Sequence, residues 1–171
     1  MRSRTLATIK YGILVIAIAL SVPQAAVNSR ADEAHQNGLK GVWRVTITPR
    51  NCVTGVPIPT AASEALFTFH KDGTMSVWAQ NATITTTRSP SHGLWRREHD
   101  RNDYAFKFVH LRYNLATGAF LGRQESSGTL ELGENGDEFT TDSSTVVFDT
   151  NGNPGVPGCA NSVGLRFAID E

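Results

Sequence analysis

Residues 64–80 read EALFTFHKDGTMSVWAQ, two β-prone runs joined by the pair Asp72-Gly73. In the first run Ala65, Phe67 and Phe69 recur at every second position, which is the period of a half-buried strand. An Asp-Gly pair between two such runs is a strong signal for a β-hairpin. The stretch therefore predicts an antiparallel hairpin with strands over 64–70 and 74–80.

The same pattern of short strands and turns continues through the rest of residues 40–171, without an amphipathic helix. We predict six further strands, over 41–49, 92–97, 104–113, 119–133, 138–148 and 160–168. Residues 81–90 begin β-prone and are expected to end as a loop at Pro90. Strands with short connections throughout predict an all-β fold, either a sandwich or a barrel.

The two cysteines favour the barrel. Cys52 follows the first predicted strand, and Cys159 precedes the last one. In an even-stranded up-and-down barrel the first and last strands pair antiparallel, which places these two positions side by side. We expect a single antiparallel up-and-down barrel of about eight strands, closed by a Cys52–Cys159 disulfide. A buried pair of free thiols is the alternative.

The N-terminal 26 residues have the pattern of a secretory signal peptide. Three basic residues within residues 1–10 precede an apolar run over residues 11–22, and small residues follow up to Ala26. A helix of that apolar run, about 18 Å long, is too short for the ~30 Å hydrocarbon core of a membrane. We expect cleavage after Ala26, with Ala31 as a second candidate, then a flexible leader over 27–39 and the barrel domain over 40–171.

The charge balance argues against a nucleic-acid partner. The chain has 16 basic and 16 acidic residues, and loss of residues 1–26 removes three basic ones, which leaves a net charge of about −3. Such a chain lacks the basic surface of a nucleic-acid-binding protein. No second hydrophobic segment follows, so we predict a secreted or periplasmic protein that has no membrane contact after cleavage. The sequence carries no signal for an oligomeric state.

Two motifs carry a family resemblance. Gly41-Val42-Trp43 opens the first strand, and a late strand begins Gly136-Asp137-Glu138-Phe139. With the serial hairpins, this pattern resembles the calycin-like barrels, which are eight-stranded binders of small molecules such as lipocalins. The resemblance implies that a basic residue near the chain end, here Arg166, packs over Trp43. The sequence lacks the C-terminal helix that many lipocalins carry. It therefore resembles avidin-like and allene oxide cyclase-like barrels equally well.

The predicted strands give the barrel a largely apolar interior. The side chains expected to face inward are Trp43, Val45, Ile47, Phe67, Phe69, Phe106, Phe108, Leu130, Leu132, Val163, Leu165 and Phe167. Each is explained by core packing alone, but an eight-stranded barrel is also just wide enough for one small ligand.

Polar residues on the same faces point toward a site. If Phe106 and Phe108 point inward, then His110 and Arg112 share their face, unless a bulge turns them outward. A buried arginine must meet an acid, a ligand or water. The hydroxyl side chains of strand 138–148 either line a polar cavity or face solvent.

The segment 89–97 (SPSHGLWRR) is either a rim element that brings Trp95 to a ligand or a bend at the start of a strand. The sequence contains no nucleophile elbow and no phosphate-binding glycine loop. None of the five histidines forms a His-x-His or His-x-x-x-His pair, so no catalytic residue, metal or cofactor is assigned.

Three functions stay open. The first is binding of a small, largely apolar molecule inside the barrel. The second is a packed barrel that acts as a protein-interaction module through exposed Trp78 and Trp95. The third is a cofactor-free isomerase or cyclase of the allene oxide cyclase-like type, which an inward pair of His, Tyr, Arg or Glu would favour. The candidate ligand-binding residues are Trp43, Phe67, Phe69, Trp95, Phe106, Phe108, His110 and Arg112.

Overall fold

The computed structural model describes residues 38–80, 85–98 and 101–168. The expected signal peptide and residues 27–37 of the expected leader lie outside this range. The strands are β1 Gly41–Arg50, β2 Ser63–Phe69, β3 Thr74–Ala79, β4 Thr86–Arg88, β5 Ser91–Arg97, β6 Asp103–Asn114, β7 Phe120–Leu132, β8 Glu138–Phe148 and β9 Gly158–Arg166, and Pro59–Ala61 form one 3-10 turn. A helix of the length and hydrophobicity needed to cross a membrane does not occur in these described ranges.

The sheet closes on itself. Its strands lie in the order β4-β6-β5-β3-β2-β1-β9-β8-β7, and β6 also pairs with β7. Both β4 and β5 pair with the edge of β6 that faces away from β7, so they act as one interrupted strand. The molecule is therefore a closed eight-stranded antiparallel barrel, which confirms the predicted fold class and is consistent with a calycin-like architecture.

The interruption lies at Pro90, and here the structure extends the sequence prediction. Thr86–Arg88, which lie in the β-prone segment that the sequence did not assign to a strand, pair with residues 112–114 of β6. Pro90 has no N–H to continue the ladder. Ser89 bridges the gap, because its N–H donates to the Leu111 carbonyl at 3.0 Å and its hydroxyl accepts from the Leu111 N–H at 3.0 Å.

The predicted hairpin between β2 and β3 is confirmed. Gly73 has a φ of +84°, a conformation that a glycine adopts without strain. The Asp72 carboxylate accepts hydrogen bonds from the Thr74 N–H at 3.0 Å and the Thr74 hydroxyl at 2.6 Å. These bonds lower the pKa of Asp72, and they fix the register that aligns Phe69 with Met75.

The seam of the barrel lies between β1 and β9. The two strands pair from Trp43 opposite Arg166 to Arg50 opposite Cys159. The expected disulfide is confirmed immediately beyond this register, with the Cα atoms of Cys52 and Cys159 5.2 Å apart. It covalently joins the first and last strands at one end of the barrel.

The opposite end of the barrel is closed by side chains. Trp43 is buried, and its indole N–H donates to the Leu39 carbonyl at 2.9 Å. The Arg166 guanidinium lies over the Trp43 ring, 4.2 Å from its centroid, as the resemblance implied. Leu39, which the sequence placed in the leader, is itself buried, and Tyr104 and Phe139 complete this apolar plug.

The prediction of which β9 side chains face the barrel interior is wrong. Val163, Leu165 and Phe167 were expected inside, but they are 44, 43 and 68% exposed. The alternate positions face the interior instead, where Gly164 leaves room for the Phe139 ring and Arg166 reaches Trp43. The inward side of this strand therefore carries its small and charged residues.

Gly164 supplies a stability prediction. A methyl group at this position would overlap the Phe139 ring, so Gly164→Ala should destabilise the barrel by about 1–3 kcal/mol. Gly158→Ala, in the same strand, is the matched control, since nothing lies near its added methyl group. Chemical denaturation measures both variants. Equal stabilities for the two would show that the Phe139 ring does not pack against Gly164.

Candidate functional site

A partly enclosed cavity of about 250 Å³ lies inside the barrel, at the end that carries the disulfide. Strands from all around the barrel contribute to its wall. The apolar lining consists of Ile47, Pro49, Phe67, Val77, Ala79, Phe106, Phe108, Gly158, Cys159 and Ala160. The polar lining consists of Ser63, Gln80, Arg88, Gln124, Ser126, Ser143, Thr145 and Ser162. The wall thus combines apolar side chains with hydroxyl, amide and guanidinium groups.

The predicted aromatic residues separate into two groups. Phe67, Phe106 and Phe108 line the cavity, where the Phe67 ring meets those of Phe106 and Phe108 edge-on at 6.4 and 5.8 Å. The other three, Trp43, Phe69 and Trp95, belong to the closed end.

Trp95 therefore does not form a rim over the cavity. Its ring packs against Phe69 and Tyr104, with centroids 5.9 and 5.7 Å apart. Its indole N–H donates to the His70 carbonyl at 3.0 Å. This leaves Trp95 half-buried, as part of the packing that closes the barrel.

The hydroxyl row of β8 faces inward, which settles an alternative that the sequence left open. Ser143 and Thr145 line the cavity, and Thr141 is buried deeper on the same face. The hydroxyl groups of Thr145 and Ser126 of β7 form a hydrogen bond, with their oxygen atoms 2.7 Å apart. One side of the cavity thus offers hydroxyl groups to a ligand.

Three basic side chains lie close together on the inward face where β4 pairs with β6; Arg88 lines the cavity, whereas the predicted site residues His110 and Arg112 lie beside it and do not line it. His110 shares the inward face of β6 with Phe108 and is only 3% exposed, and half-buried Arg112 follows on that face. Arg88 of β4 lies opposite Arg112 in the register and lines the cavity. Across the other edge of β6, His110 is paired with the uncharged Gln124 of β7. We call Arg88, His110 and Arg112 the basic cluster.

Sequence reasoning found two members of this cluster and missed the third. Arg88 was not assigned to a strand, because the β-prone segment 81–90 was expected to end as a loop at Pro90. The run of threonines over residues 85–87 was the available signal, since β-branched residues favour strands. A strand that ran on to Arg88 would have brought its side chain beside Arg112.

The electrostatics of the basic cluster are one-sided. None of the inward-facing positions of the nine strands holds an aspartate or glutamate. His110 is buried, and its Nδ1 atom has no hydrogen-bond partner within the described part of the chain. Burial, together with the positive charges of Arg88 and Arg112, lowers the pKa of His110 to about 4. His110 is therefore a neutral imidazole at pH 7.

This pKa makes the stability of the protein depend on pH. An unfolded histidine titrates near 6.5, so the unfolded chain takes up a proton at a pH where native His110 does not. Stability should fall as the pH falls from about 6.5 toward 4, with a loss of at most about 2 kcal/mol between pH 7 and 5. Urea denaturation at a series of pH values measures this slope, which His110→Gln should flatten.

The matched control is His92→Gln, which removes an exposed histidine from β5 and should keep the wild-type slope. The carboxyl groups whose pKa values the fold lowers, Asp72, Glu125 and Asp149, affect stability mainly below pH 5, so the slopes are compared between pH 7 and 5. An unchanged slope in His110→Gln would show that His110 is not buried in its neutral form.

The described residues bring no three histidine, cysteine or carboxylate side chains together in a way that could hold a metal ion. His92 lies exposed on the outer face of β5, so it does not meet the inward-facing His110. Comparison with known proteins adds no assignment: no protein-family model matches the chain, and no curated protein is significantly similar to it.

Proposed function

We propose that the protein binds a small, largely apolar molecule inside the barrel, as lipocalin-like barrels do. The observation that carries the proposal is the cavity beside the disulfide, which three phenylalanine side chains line. A barrel that only needed a packed core would fill this space, because voids in protein interiors cost stability. Its lining of aromatic rings with a few hydroxyl groups is typical of small-molecule sites.

The size of the cavity limits the ligand. Its volume of about 250 Å³ exceeds the roughly 150 Å³ of a cavity that holds benzene. It lies below the ~300–1,000 Å³ of pockets for drug-sized molecules. We therefore propose a ligand with one or two rings, or a short alkyl chain, rather than a large lipid.

Filling the cavity should abolish binding. Ala160 lies in the cavity wall, so Ala160→Phe places a ring in the space that a ligand would occupy. We expect 3-phenylpropanol and octanol to bind the wild-type protein in saturation-transfer NMR and titration calorimetry. Binding to Ala160→Phe should be at least about tenfold weaker, which corresponds to ~1.4 kcal/mol.

Asn161→Phe is the matched control, because it adds the same ring to the adjacent, exposed position of β9. It should bind the two alcohols like the wild type. Binding that survives in Ala160→Phe would place the ligand elsewhere, and failure of both alcohols to bind the wild-type protein would contradict the proposal.

A cofactor-free isomerase or cyclase is the second candidate, and His110 is the observation that favours it. A neutral imidazole buried beside the cavity could accept a proton, with Arg88 nearby to stabilise negative charge. Incubating small-molecule extracts of the host with wild-type protein and with His110→Gln tests this. A compound that is converted only by the wild type would favour the enzyme.

The interaction-module alternative receives less support. Trp78 is 61% exposed, but Trp95, the second aromatic residue on which that alternative relied, packs into the closed end. Light scattering coupled to size-exclusion chromatography of wild type and Trp78→Ser checks the self-associating form of this alternative. A dimer that the substitution dissolves would favour it.

A further inference from the structure

We propose that the basic cluster is a subsite for the carboxylate group of the ligand, so that the barrel selects small apolar acids. This inference rests on the proposed function and specifies its ligand. It follows from a comparison between the arginines at the two ends of the barrel.

At the closed end, both inward arginines have hydrogen-bond partners within the fold. Arg166 donates to the carbonyls of Gly38, Lys40 and Gly136 at 2.6 to 2.9 Å and forms a 3.4 Å ion pair with Asp137. Arg97 donates to the Tyr104 hydroxyl at 3.1 Å. These two arginines have a structural role, and the fold provides hydrogen-bond acceptors for both of them.

At the cavity end the arginines have no such partners. Arg88 and Arg112 form no side-chain hydrogen bond or ion pair within the described residues, although both are half-buried. Burial lowers the pKa of Arg88, but a guanidinium keeps its charge in proteins. Partial burial removes part of the hydration of both guanidinium groups, and an anion or ordered water would replace it.

His110 is the independent second observation. It is 3% exposed, and its buried Nδ1 atom has no hydrogen-bond partner in the described part of the protein. Its neighbours on the barrel wall are Arg88, Arg112 and Gln124, none of which is acidic. The neutral imidazole can therefore donate a hydrogen bond from its Nδ1–H to an anion held at the basic cluster without breaking an existing bond.

The shape of the site favours a carboxylate over a larger anion. The planar fork of a guanidinium matches the two oxygens of a carboxylate, and such charge-assisted pairs are strong. Arg88 borders the same cavity as Phe106 and Phe108, so a molecule with its apolar part against these rings can place its acid group at Arg88. Inward-facing acidic side chains, which would compete for the arginines, are absent from the described strands.

Acid and amide pairs of equal shape test the subsite by titration calorimetry at pH 7. The probes are phenylacetate, 3-phenylpropanoate and octanoate, each with its primary amide. We expect the wild-type protein to bind at least one acid about tenfold more tightly than its amide. Arg88→Gln should remove that preference while the amide binds as before.

The control variant is Arg44→Gln, which removes the same charge from the exposed face of β1 and should keep the preference for the acid. A second readout needs no variant: the Arg88 Nε–Hε signal in NMR spectra of the wild type should move with the acid and not with the amide. Equal binding of acid and amide would overturn the carboxylate subsite and leave the binding barrel intact. Failure of acids, amides and the neutral alcohols alike would overturn the proposed function itself.

Discussion

Replacing both Cys52 and Cys159 by serine should lower the free energy of unfolding by about 4–5 kcal/mol, the largest effect that we expect from any change in this barrel. The two cysteines are 107 residues apart, so the bond closes a loop that includes nearly the whole barrel. Opening it gives the unfolded chain a large gain in conformational freedom. It also releases the ends of β1 and β9 at the seam, beside the cavity.

Urea denaturation at pH 7 measures this effect. Wild-type protein unfolded in the presence of a reductant is the matched reference, and it should coincide with the double serine variant. A loss below about 1 kcal/mol would show that the hydrogen bonds between β1 and β9 hold the seam without the bond. The same variant should also bind the neutral alcohols more weakly, because the cavity wall includes Cys159.

Arg166→Ala should cost about 3–4 kcal/mol, because this side chain closes the other end of the barrel. Its guanidinium donates to three backbone carbonyls and covers the Trp43 ring at 4.2 Å. Its removal leaves those carbonyls without their donor and opens Trp43 to water. Arg166→Lys should recover only part of the loss, since an ammonium group cannot reproduce the planar fork.

Urea denaturation and the near-ultraviolet circular dichroism of Trp43 report this change together. Arg44→Ala is the control, because Arg44 is an exposed neighbour on the outer face of β1 and its loss should cost no more than about 0.5 kcal/mol. If the two alanine variants are equally stable, then the closed end does not depend on the Arg166 contacts.

Local patterns in the sequence were sufficient to predict most of the fold. Alternating aromatic residues and the Asp72-Gly73 turn gave the hairpin, and the positions of the cysteines gave the closing pair of strands. His110 and Arg112 followed from the two-residue period of β6. These predictions are correct because the side of a strand that faces the core is fixed wherever one side is clearly more apolar than the other.

The predictions failed where the difference in hydrophobicity between the two sides of a strand does not indicate which side faces the core. In β9 the apolar residues Val163 and Leu165 alternate with Gly164 and Arg166, and hydrophobicity alone placed the wrong set inside. The actual facing depends on long-range partners, since Gly164 meets the Phe139 ring and Arg166 meets Trp43. Arg88 was missed for a related reason. Its position in the barrel wall depends on the pairing of β4 with β6, on the other side of Pro90 from β5.

The most direct test of the account is native mass spectrometry of the protein purified from its own host, followed by denaturation and identification of any released compound. The account predicts one stoichiometric small molecule, an apolar acid of one or two rings or a short chain, that Ala160→Phe no longer retains. A neutral compound would support the barrel and contradict the carboxylate subsite. A protein that carries no compound, and to which no alcohol, acid or amide probe binds, would contradict the central claim that the barrel is a small-molecule binder.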